Sequence, residues 1–242
     1  MILITRPKKD SFELQRKLKQ KKIFTKVQEL SSFKISNTKI GPLKSIVLIT
    51  SPRAIDYIRI TRSVKAFDQL KFIVIGKKTK NKLIQLGCTN ILFFAKNSSD
   101  LIDKVSKYLN KNAVINFLCS NVYNKDLVKD LRLLNFRVKL HKVYETIAVK
   151  KLNPTTIKNL REKKFKGAIF YSRFSLEIFL RLSKLSHIAL NDLKCMDFIC
   201  FSSRIARPAV KLGLNVMYPD EPSESTLLIL AKRCYTQRRL EF

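Results

Sequence analysis

The sequence predicts an α/β protein of two similar doubly wound parallel-sheet domains, and three observations lead to this prediction. Short apolar runs of strand length recur along the chain, and nearly all are continuous, as expected for parallel strands covered on both faces. Segments with helical spacing lie between these runs, and alternating strands and helices predict parallel sheets. The third observation is a weak internal repeat, in which the second half of the chain echoes the first.

Eight runs have the length and composition of buried strands. In chain order they cover residues 2–5, 46–50, 72–75, 90–94, 113–118, 167–171, 198–201 and 215–218. The first predicted helix follows Asp10 and places Leu14 and Leu18 on one face. A later helix follows the Ser-Ser-Asp sequence at 98–100, whose side chains are good N-caps.

The internal repeat concerns the order of these elements. Residues 46–58 indicate a strand, a serine and a helix, and residues 168–179 repeat that order. Residues 72–87 and 198–213 both begin with a strand and end in Leu-Gly at the same spacing. Two homologous α/β domains explain these similarities most simply.

Two segments, 31–40 and 142–151, alternate polar and apolar residues as partly exposed strands do. We expect them to pair as a two-stranded antiparallel connector. Residues 1–30 and 152–242 would then form a discontinuous first domain, and residues 41–141 an inserted second domain. The active site would lie in a cleft between the two domains.

The 242-residue chain is strongly basic, with 49 Lys and Arg against 18 Asp and Glu and a formal net charge of +31. A polyanionic partner would explain this charge. The chain is also crowded with Lys, Ile, Asn and Phe and has no Trp and five Gly, so we expect much of the charge to be a solvated surface that reflects a general compositional bias. Charge alone therefore does not identify a partner.

The five cysteines include no CxxC pair, and several lie in apolar runs, as Cys200 does. We expect buried thiols in a reducing compartment. The N-terminal apolar stretch is too short for a signal peptide, and no run approaches the roughly 18 residues of a membrane-spanning helix. The expected location is the cytoplasm.

Several kinds of chemistry lack their sequence signatures. No Gly-rich phosphate loop is present, so a dinucleotide or P-loop site is not expected. The two histidines, His141 and His187, are too few for most metal sites, and Glu145 lies near His141 on a segment predicted to be extended. We expect both histidines to be surface or packing residues.

Polar residues follow the predicted strands in both halves. Ligands bind at the carboxyl ends of strands in open α/β sheets, and helix N-termini there attract anions. Each residue alone could be a helix cap, but their recurrence in both domains favours a carboxylate-binding cleft. They are Thr5, Arg6, Thr50, Ser51, residues 76–79, Ser120, Ser172, Arg173 and residues 202–204.

Seven short motifs, in the right order over nearly the whole chain, resemble those of the uroporphyrinogen-III synthase family. They are ITRP at 4–7, ITSPRAI at 49–55, IGKKT at 75–79 leading to LG at 86–87, VYET at 143–146, YS at 171–172, the segment 206–213 that ends in LG, and PS at 222–223. The chain departs from the family pattern at Ile205, where a threonine is usual, and at Arg173, where a small residue is usual.

The resemblance implies a lyase of haem biosynthesis that cyclises hydroxymethylbilane. The substrate would lose its hydroxyl as water, the azafulvene would attack the substituted carbon of ring D, and a spiro intermediate would rearrange and close with ring D inverted. The resemblance also implies a monomer without cofactor or metal.

The same resemblance, together with the strand-end positions, assigns candidate site residues. Tyr144 is the candidate acid for the departing hydroxyl, since a phenol can donate a hydrogen bond or a proton. A Tyr that merely packs at this position is the alternative. The expected substrate-binding residues are Thr5, Arg6, Ser51, Arg53, Gly76, Thr79, Ser172, Ser202 and Ser203.

Two other functions remain open from the sequence. The first is a basic two-domain nucleic-acid-binding protein without catalysis, which the charge and aromatic residues such as Tyr108, Tyr123 and Phe136 would suit. The second is a two-domain receptor that binds a tetrapyrrole or another acid without converting it.

Overall fold

A computed structural model describes residues 1–37, 40–41, 43, 46–61 and 70–237 of the chain. The chain divides into two units, which we call the first and the second unit. The first comprises Met1–Ser32 and Ile147–Phe242, and the second comprises Phe33–Thr146. Residues 38–39 of the predicted connector, 42, 44–45 and 62–69 of the predicted second domain, and 238–242 of the predicted first domain lie outside the described residues.

The first unit is a five-stranded sheet with helices. Its elements are β1 (Ile2–Ile4), α1 (Lys8–Gln20), β2 (Thr25–Val27), α6 (Pro154–Arg161), β9 (Gly167–Phe170), α7 (Arg173–Leu185), α8 (Leu190–Lys194), β10 (Asp197–Cys200), α9 (Ser203–Val210), β11 (Val216–Met217) and α10 (Glu224–Gln237). Its strands follow the order β11-β10-β9-β1-β2, and every neighbouring pair is parallel.

The second unit contains a six-stranded sheet. Its elements are β3 (Ser31–Ile35), β4 (Ile46–Ile49), α2 (Pro52–Thr61), β5 (Lys71–Ile75), α3 (Lys77–Gln85), β6 (Ile91–Ala95), α4 (Ser98–Tyr108), β7 (Val114–Ser120), α5 (Lys125–Leu133) and β8 (Arg137–Ala148). The strands follow the order β3-β8-β7-β4-β5-β6, and the sheet is parallel from β8 to β6.

The two connector segments pair in opposite directions. The Ser36 amide donates to the Val143 carbonyl at 3.0 Å, and the Val149 amide donates to the Leu30 carbonyl at 3.1 Å. Because the partner number rises as the residue number falls, the pairing is antiparallel, as predicted. β3 and β8 are therefore the strands through which the chain passes between the units.

The predicted fold class is confirmed, and each of the eight predicted strands has a counterpart. Two strand segments were missed. β2 has three residues, all half-buried, and is too short to show a period. The first half of β8 was expected to precede the connector, but the strand begins at Arg137, where charged residues alternate with Val138 and Leu140.

Alternate strand residues face two hydrophobic clusters in each sheet. In β1, Leu3 faces one cluster, while Ile2 and Ile4 face the other. In the second unit, Val47 and Ile49 of β4 likewise face one cluster, while Ile46 and Leu48 face the other. Helices cover both faces, so the strands contain continuous apolar runs. Burying each large side chain favours folding by about 1.5–3 kcal/mol.

All five cysteines lie in the described ranges, where no disulfide joins them, and Cys88, Cys119, Cys200 and Cys234 are buried. Burial raises the pKa of Cys119 to about 11 and that of Cys200 to about 12, so both are thiols at neutral pH. No helix in the described part of the chain is long and apolar enough to cross a membrane.

Gly167 begins the central strand β9 at a place with no room for a side chain. An added Cβ would lie 2.8 Å from Cys234 Sγ and 3.0 Å from the Asp197 carbonyl oxygen. We expect Gly167→Ala to lower the free energy of unfolding by about 1–3 kcal/mol in urea denaturation. Gly41→Ala is the matched control, because an added Cβ at Gly41 meets no atom within 4 Å. Equal stability of the two variants would contradict this packing.

Candidate active site

The predicted polar residues gather at the carboxyl edge of each sheet, because the strands they follow are parallel neighbours. In the first unit, Ile4 of β1 pairs with Ile169 of β9, and Phe170 pairs with Cys200 of β10. The residues that follow these three strands therefore emerge side by side. They are Thr5, Arg6, Ser172, Ser202 and Ser203.

The same alignment holds in the second unit. Ile49 at the end of β4 pairs with Val74 of β5 and with Leu118 of β7. Ser120 at the end of β7 pairs with Tyr144 in β8. Four adjacent strands thus bring the second unit's candidates to one edge, where Ser51, Arg53, Gly76 and Thr79 follow the ends of β4 and β5, and Tyr144 lies within β8 beside the end of β7.

Both edges contain a topological switch point. In the first unit the later strands β9 to β11 lie on one side of β1, and β2 lies on the other. In the second unit β5 and β6 lie on one side of β4, and β7 and β8 lie on the other. These switch points lie between β1 and β9 and between β4 and β7. In open α/β sheets generally, ligands bind at such points.

Tyr144 is a buried phenol, with 7% of the residue exposed. The Ser51 and Ser120 side chains lie close to its hydroxyl, and its ring meets the Phe33 ring edge-on at a centroid distance of 6.1 Å. Burial raises the pKa of Tyr144, while the nearby Ser51 and Ser120 side chains and the Arg53 charge oppose that rise only in part. The group is therefore a protonated phenol at neutral pH and can donate a hydrogen bond.

Arg53 lies in the first turn of α2, next to the same cluster. Its Cζ atom is 4.7 Å from the centroid of the Phe33 ring, and its Nη1 atom is 3.9 Å from Asp56 Oδ2. The Arg53 amide donates to Ser51 Oγ at 3.3 Å. The turn between β4 and α2 thus holds a serine hydroxyl and a guanidinium group beside Tyr144.

Gly76 and Thr79 form the next turn along the sheet. Gly76 precedes α3 with φ +88°, a region that favours glycine, and its amide donates to the Ala95 carbonyl at 2.9 Å. Thr79 is 3% exposed within the first turn of α3. Its side chain is therefore turned away from solvent, whereas Lys77 and Lys78 of the same turn are exposed.

In the first unit, Thr5 and Arg6 differ in their surroundings. Thr5 is 1% exposed, and its hydroxyl donates to the Ile169 carbonyl at 2.6 Å, so this hydroxyl links β1 to β9. The Arg6 guanidinium lies 4.1 Å from the centroid of the Tyr171 ring and 3.8 Å from Asp10 Oδ1. Burial raises the pKa of Tyr171, and the Arg6 charge opposes the rise.

The serines of the first unit lie at two helix starts. Ser172 is the N-cap of α7, and its Oγ accepts a hydrogen bond from the Ser175 amide at 3.1 Å. Ser202 precedes α9, and its side chain caps no amide in the described part of the chain. Ser203 is exposed. These turns offer backbone amides as well as hydroxyl groups.

The two departures from the family pattern have structural explanations. Ile205 is 7% exposed and packs in the first unit's hydrophobic cluster, where an apolar side chain fits. Arg173 is exposed and pairs with Glu177 at 2.8 Å, one turn along α7.

Three residues at these edges were missing from the predicted site. Ser120 was noted as a strand-end residue but was not chosen, although it contacts Tyr144. Phe33 and Tyr171 contact the two arginines. Phe33 was noted only as part of the predicted connector, and Tyr171 only as part of the YS motif. Only the pairing of distant strands brings them next to Arg53 and Arg6.

Other features lie away from these edges. His141 Nε2 and Asn116 Oδ1 are 3.0 Å apart, which fits a packing role. In the described ranges, no group of three or more His, Cys, Asp or Glu side chains could hold a metal ion. Surface cavities of about 370 and 570 Å³ lie along α5 and α6, and none of the described residues that line them is a predicted site residue.

The fold and the two edges define a doubly wound α/β protein whose polar groups suit an acidic small molecule. The family model described as uroporphyrinogen-III synthase HemD matches residues 26–229. The chain therefore belongs to the uroporphyrinogen-III synthase family, whose enzymes act in tetrapyrrole biosynthesis. A search of the curated proteins found no match.

Two solved structures share this fold. Uroporphyrinogen-III synthetase from Helicobacter pylori is 17% identical with a TM-score of 0.65, over 95% of this chain and 97% of that chain. A mutant uroporphyrinogen III synthase from the extremely thermophilic bacterium Thermus thermophilus is 12% identical with a TM-score of 0.61, over 98% of this chain and 99% of that chain.

Proposed function

We propose that the protein is a lyase that converts hydroxymethylbilane to uroporphyrinogen III with inversion of ring D. Loss of the substrate hydroxyl as water gives an azafulvene, whose methylene carbon bonds to the substituted carbon of ring D. The resulting spiro intermediate rearranges and closes. Water is the only group released, and the sequence of steps has no net oxidation or reduction.

The observation that supports this proposal most directly is that both sheets of this family member have polar residues at their switch points. The substrate has eight carboxylates, and several amides at helix starts with a few guanidinium groups suit such a molecule. Spontaneous closure gives the isomer without inversion, so the enzyme must hold one folded form of the flexible substrate. Many weak contacts to the carboxylates achieve this better than one strong contact.

In this proposal Tyr144 donates a hydrogen bond or a proton to the departing hydroxyl. Its burial excludes water and keeps the phenol protonated, and the Ser51 and Ser120 side chains lie beside its hydroxyl. Tyr144 regains its proton when the macrocycle closes and loses one, so Tyr144 is unchanged after each cycle.

The remaining residues bind acetate and propionate groups. Arg6 and Arg53 supply charge, Ser51, Ser172, Ser202 and Ser203 supply hydroxyl groups, and the turn at Gly76 supplies amides. Because the side chains of Thr5 and Thr79 are buried, we propose that these two residues act by holding the backbone at the strand ends.

The proposal also includes the expected location, oligomeric state and cofactor requirement of the protein. We propose a cytoplasmic monomer that needs neither metal nor cofactor, and the cleft between the two domains stays a prediction. Specific nucleic-acid binding is not part of the proposal, since the charge suits any anion. Phe136, one of the aromatic residues that suggested it, is 4% exposed and cannot stack on a base.

A coupled assay tests the reaction. The purified protein receives freshly generated hydroxymethylbilane, and the oxidised products are separated into type I and type III isomers. We expect an excess of type III that grows with the protein concentration. Type I alone from a folded sample would contradict the synthase function and favour a receptor or a nucleic-acid-binding protein.

Tyr144→Phe tests the candidate acid. We expect kcat to fall at least about tenfold while the fold is retained, because the ring stays and only the donor is lost. Because the pKa of Tyr144 is raised above 10.0, the phenol stays protonated between about pH 7 and 9. Deprotonation of Tyr144 should therefore not lower the kcat of the wild type in this pH range.

Tyr235→Phe is the matched control for this substitution. Tyr235 is also 7% exposed, but it contacts Lys166, which precedes β9. Tyr235 therefore lies at the end of the first unit's sheet that is opposite to the carboxyl edge. Wild-type turnover in Tyr144→Phe, or an equal loss in Tyr235→Phe, would remove Tyr144 from the mechanism.

A further inference from the structure

Each sheet has an arginine lying on an aromatic ring at its switch point. The Arg6 Cζ atom is 4.1 Å from the Tyr171 ring centroid, and the Arg53 Cζ atom is 4.7 Å from the Phe33 ring centroid. Both distances lie within the roughly 6 Å range of cation–π contacts. Tyr171 follows β9, whereas Phe33 lies in β3, so the two rings come from non-equivalent strands.

In the first unit the contact is one layer of a longer stack. The Tyr171 ring lies against the Phe201 ring, with centroids 5.4 Å apart and planes inclined by 23°. Phe201, Tyr171 and Arg6 follow the adjacent strands β10, β9 and β1. Phe201 therefore packs against the Tyr171 ring, and the Tyr171 ring in turn contacts the Arg6 guanidinium group. Because Arg6 follows β1 and Tyr171 follows β9, this contact spans the switch point between the two strands.

In the second unit the ring contacts two groups of the proposed site. Phe33 lies against the Arg53 guanidinium on one side and meets the Tyr144 ring edge-on at 6.1 Å. A change of Phe33 would therefore disturb both a carboxylate-binding group and the proposed proton donor.

The arginines are held but still reachable. The Arg6 side chain is 20% exposed and the Arg53 side chain is 22% exposed. Asp10 lies 3.8 Å from Arg6, beyond hydrogen-bond distance. Asp56, next to Arg53, has Arg59 and Lys82 within 4.0 Å as well, so the surroundings of Arg53 remain positive.

We propose that Tyr171 and Phe33 are positioning residues that fix the Arg6 and Arg53 guanidinium groups for binding substrate carboxylates. The inference rests on the proposed function. A guanidinium group stacked on a ring has a set plane and loses less freedom when it pairs with a carboxylate than an arginine in solvent does. The rings thus act on substrate affinity through the arginines.

A double-substitution cycle on Arg6 and Tyr171 tests this. The variants are Tyr171→Leu, Arg6→Lys and the pair together, and the probe is uroporphyrin III, an octacarboxylate. Binding is measured by fluorescence at about 0.15 M salt or higher, where attraction to the general basic surface is screened. KM and kcat are measured with hydroxymethylbilane.

We expect each single substitution to raise Kd and KM about 3- to 10-fold, with kcat within about twofold. The double variant should be no weaker than the weaker single variant, because the ring acts through the arginine. Tyr171→Phe keeps the ring and should retain affinity within about twofold. Phe33→Leu should change both KM and kcat, because Phe33 also contacts Tyr144.

Tyr108→Leu is the control, because Tyr108 contacts Lys107 at the far end of α4 and is 61% exposed. Fully additive losses, an unchanged Kd in Tyr171→Leu, or an equal loss in Tyr108→Leu would overturn the inference. Arg6→Lys leaves the core untouched and is informative even if Tyr171→Leu does not fold. Type I product alone from the wild type would contradict the proposed function, whereas the binding cycle tests the coupling independently.

Discussion

The parallel pairing of strands covered on both faces is the constraint on which the other features depend. Apolar side chains fill both sides of β1, β4, β9 and β10, so the interior of each sheet is mostly apolar. Parallel strands place all their carboxyl ends on one edge, and the following helices begin there. The candidate polar groups therefore lie mainly where the strands end, and they are concentrated at the switch points.

The two units reach the same result by different routes through the chain. β4, β5 and β6 correspond to β9, β10 and β11 in order, but the first unit takes its remaining strands, β1 and β2, from the start of the chain. The switch points consequently lie between different pairs of strands. A binding edge produced this way depends on strand order, and much less on the identity of individual side chains, which fits relatives at 12–17% identity with the same fold.

The sequence was informative where a feature is local. Continuous apolar runs predicted the parallel strands, and serines and threonines after them predicted the edges, because capping and strand ends are properties of neighbouring residues. It was uninformative where a feature depends on pairing between distant segments. The contact of Ser120 with Tyr144, the ring of Tyr171 beneath Arg6, and the burial of the Thr5 hydroxyl against Ile169 all arise from strand register, which no spacing in the sequence reveals.

Hydrogen-exchange mass spectrometry with and without uroporphyrin III tests the central claim that carboxylates bind at both carboxyl edges. The account predicts slower amide exchange in the ligand complex at the strand-to-helix turns of both units, in residues 50–54, 76–79, 172–175 and 202–205. Protection confined to one unit, or to the cavities along α5 and α6, would contradict it.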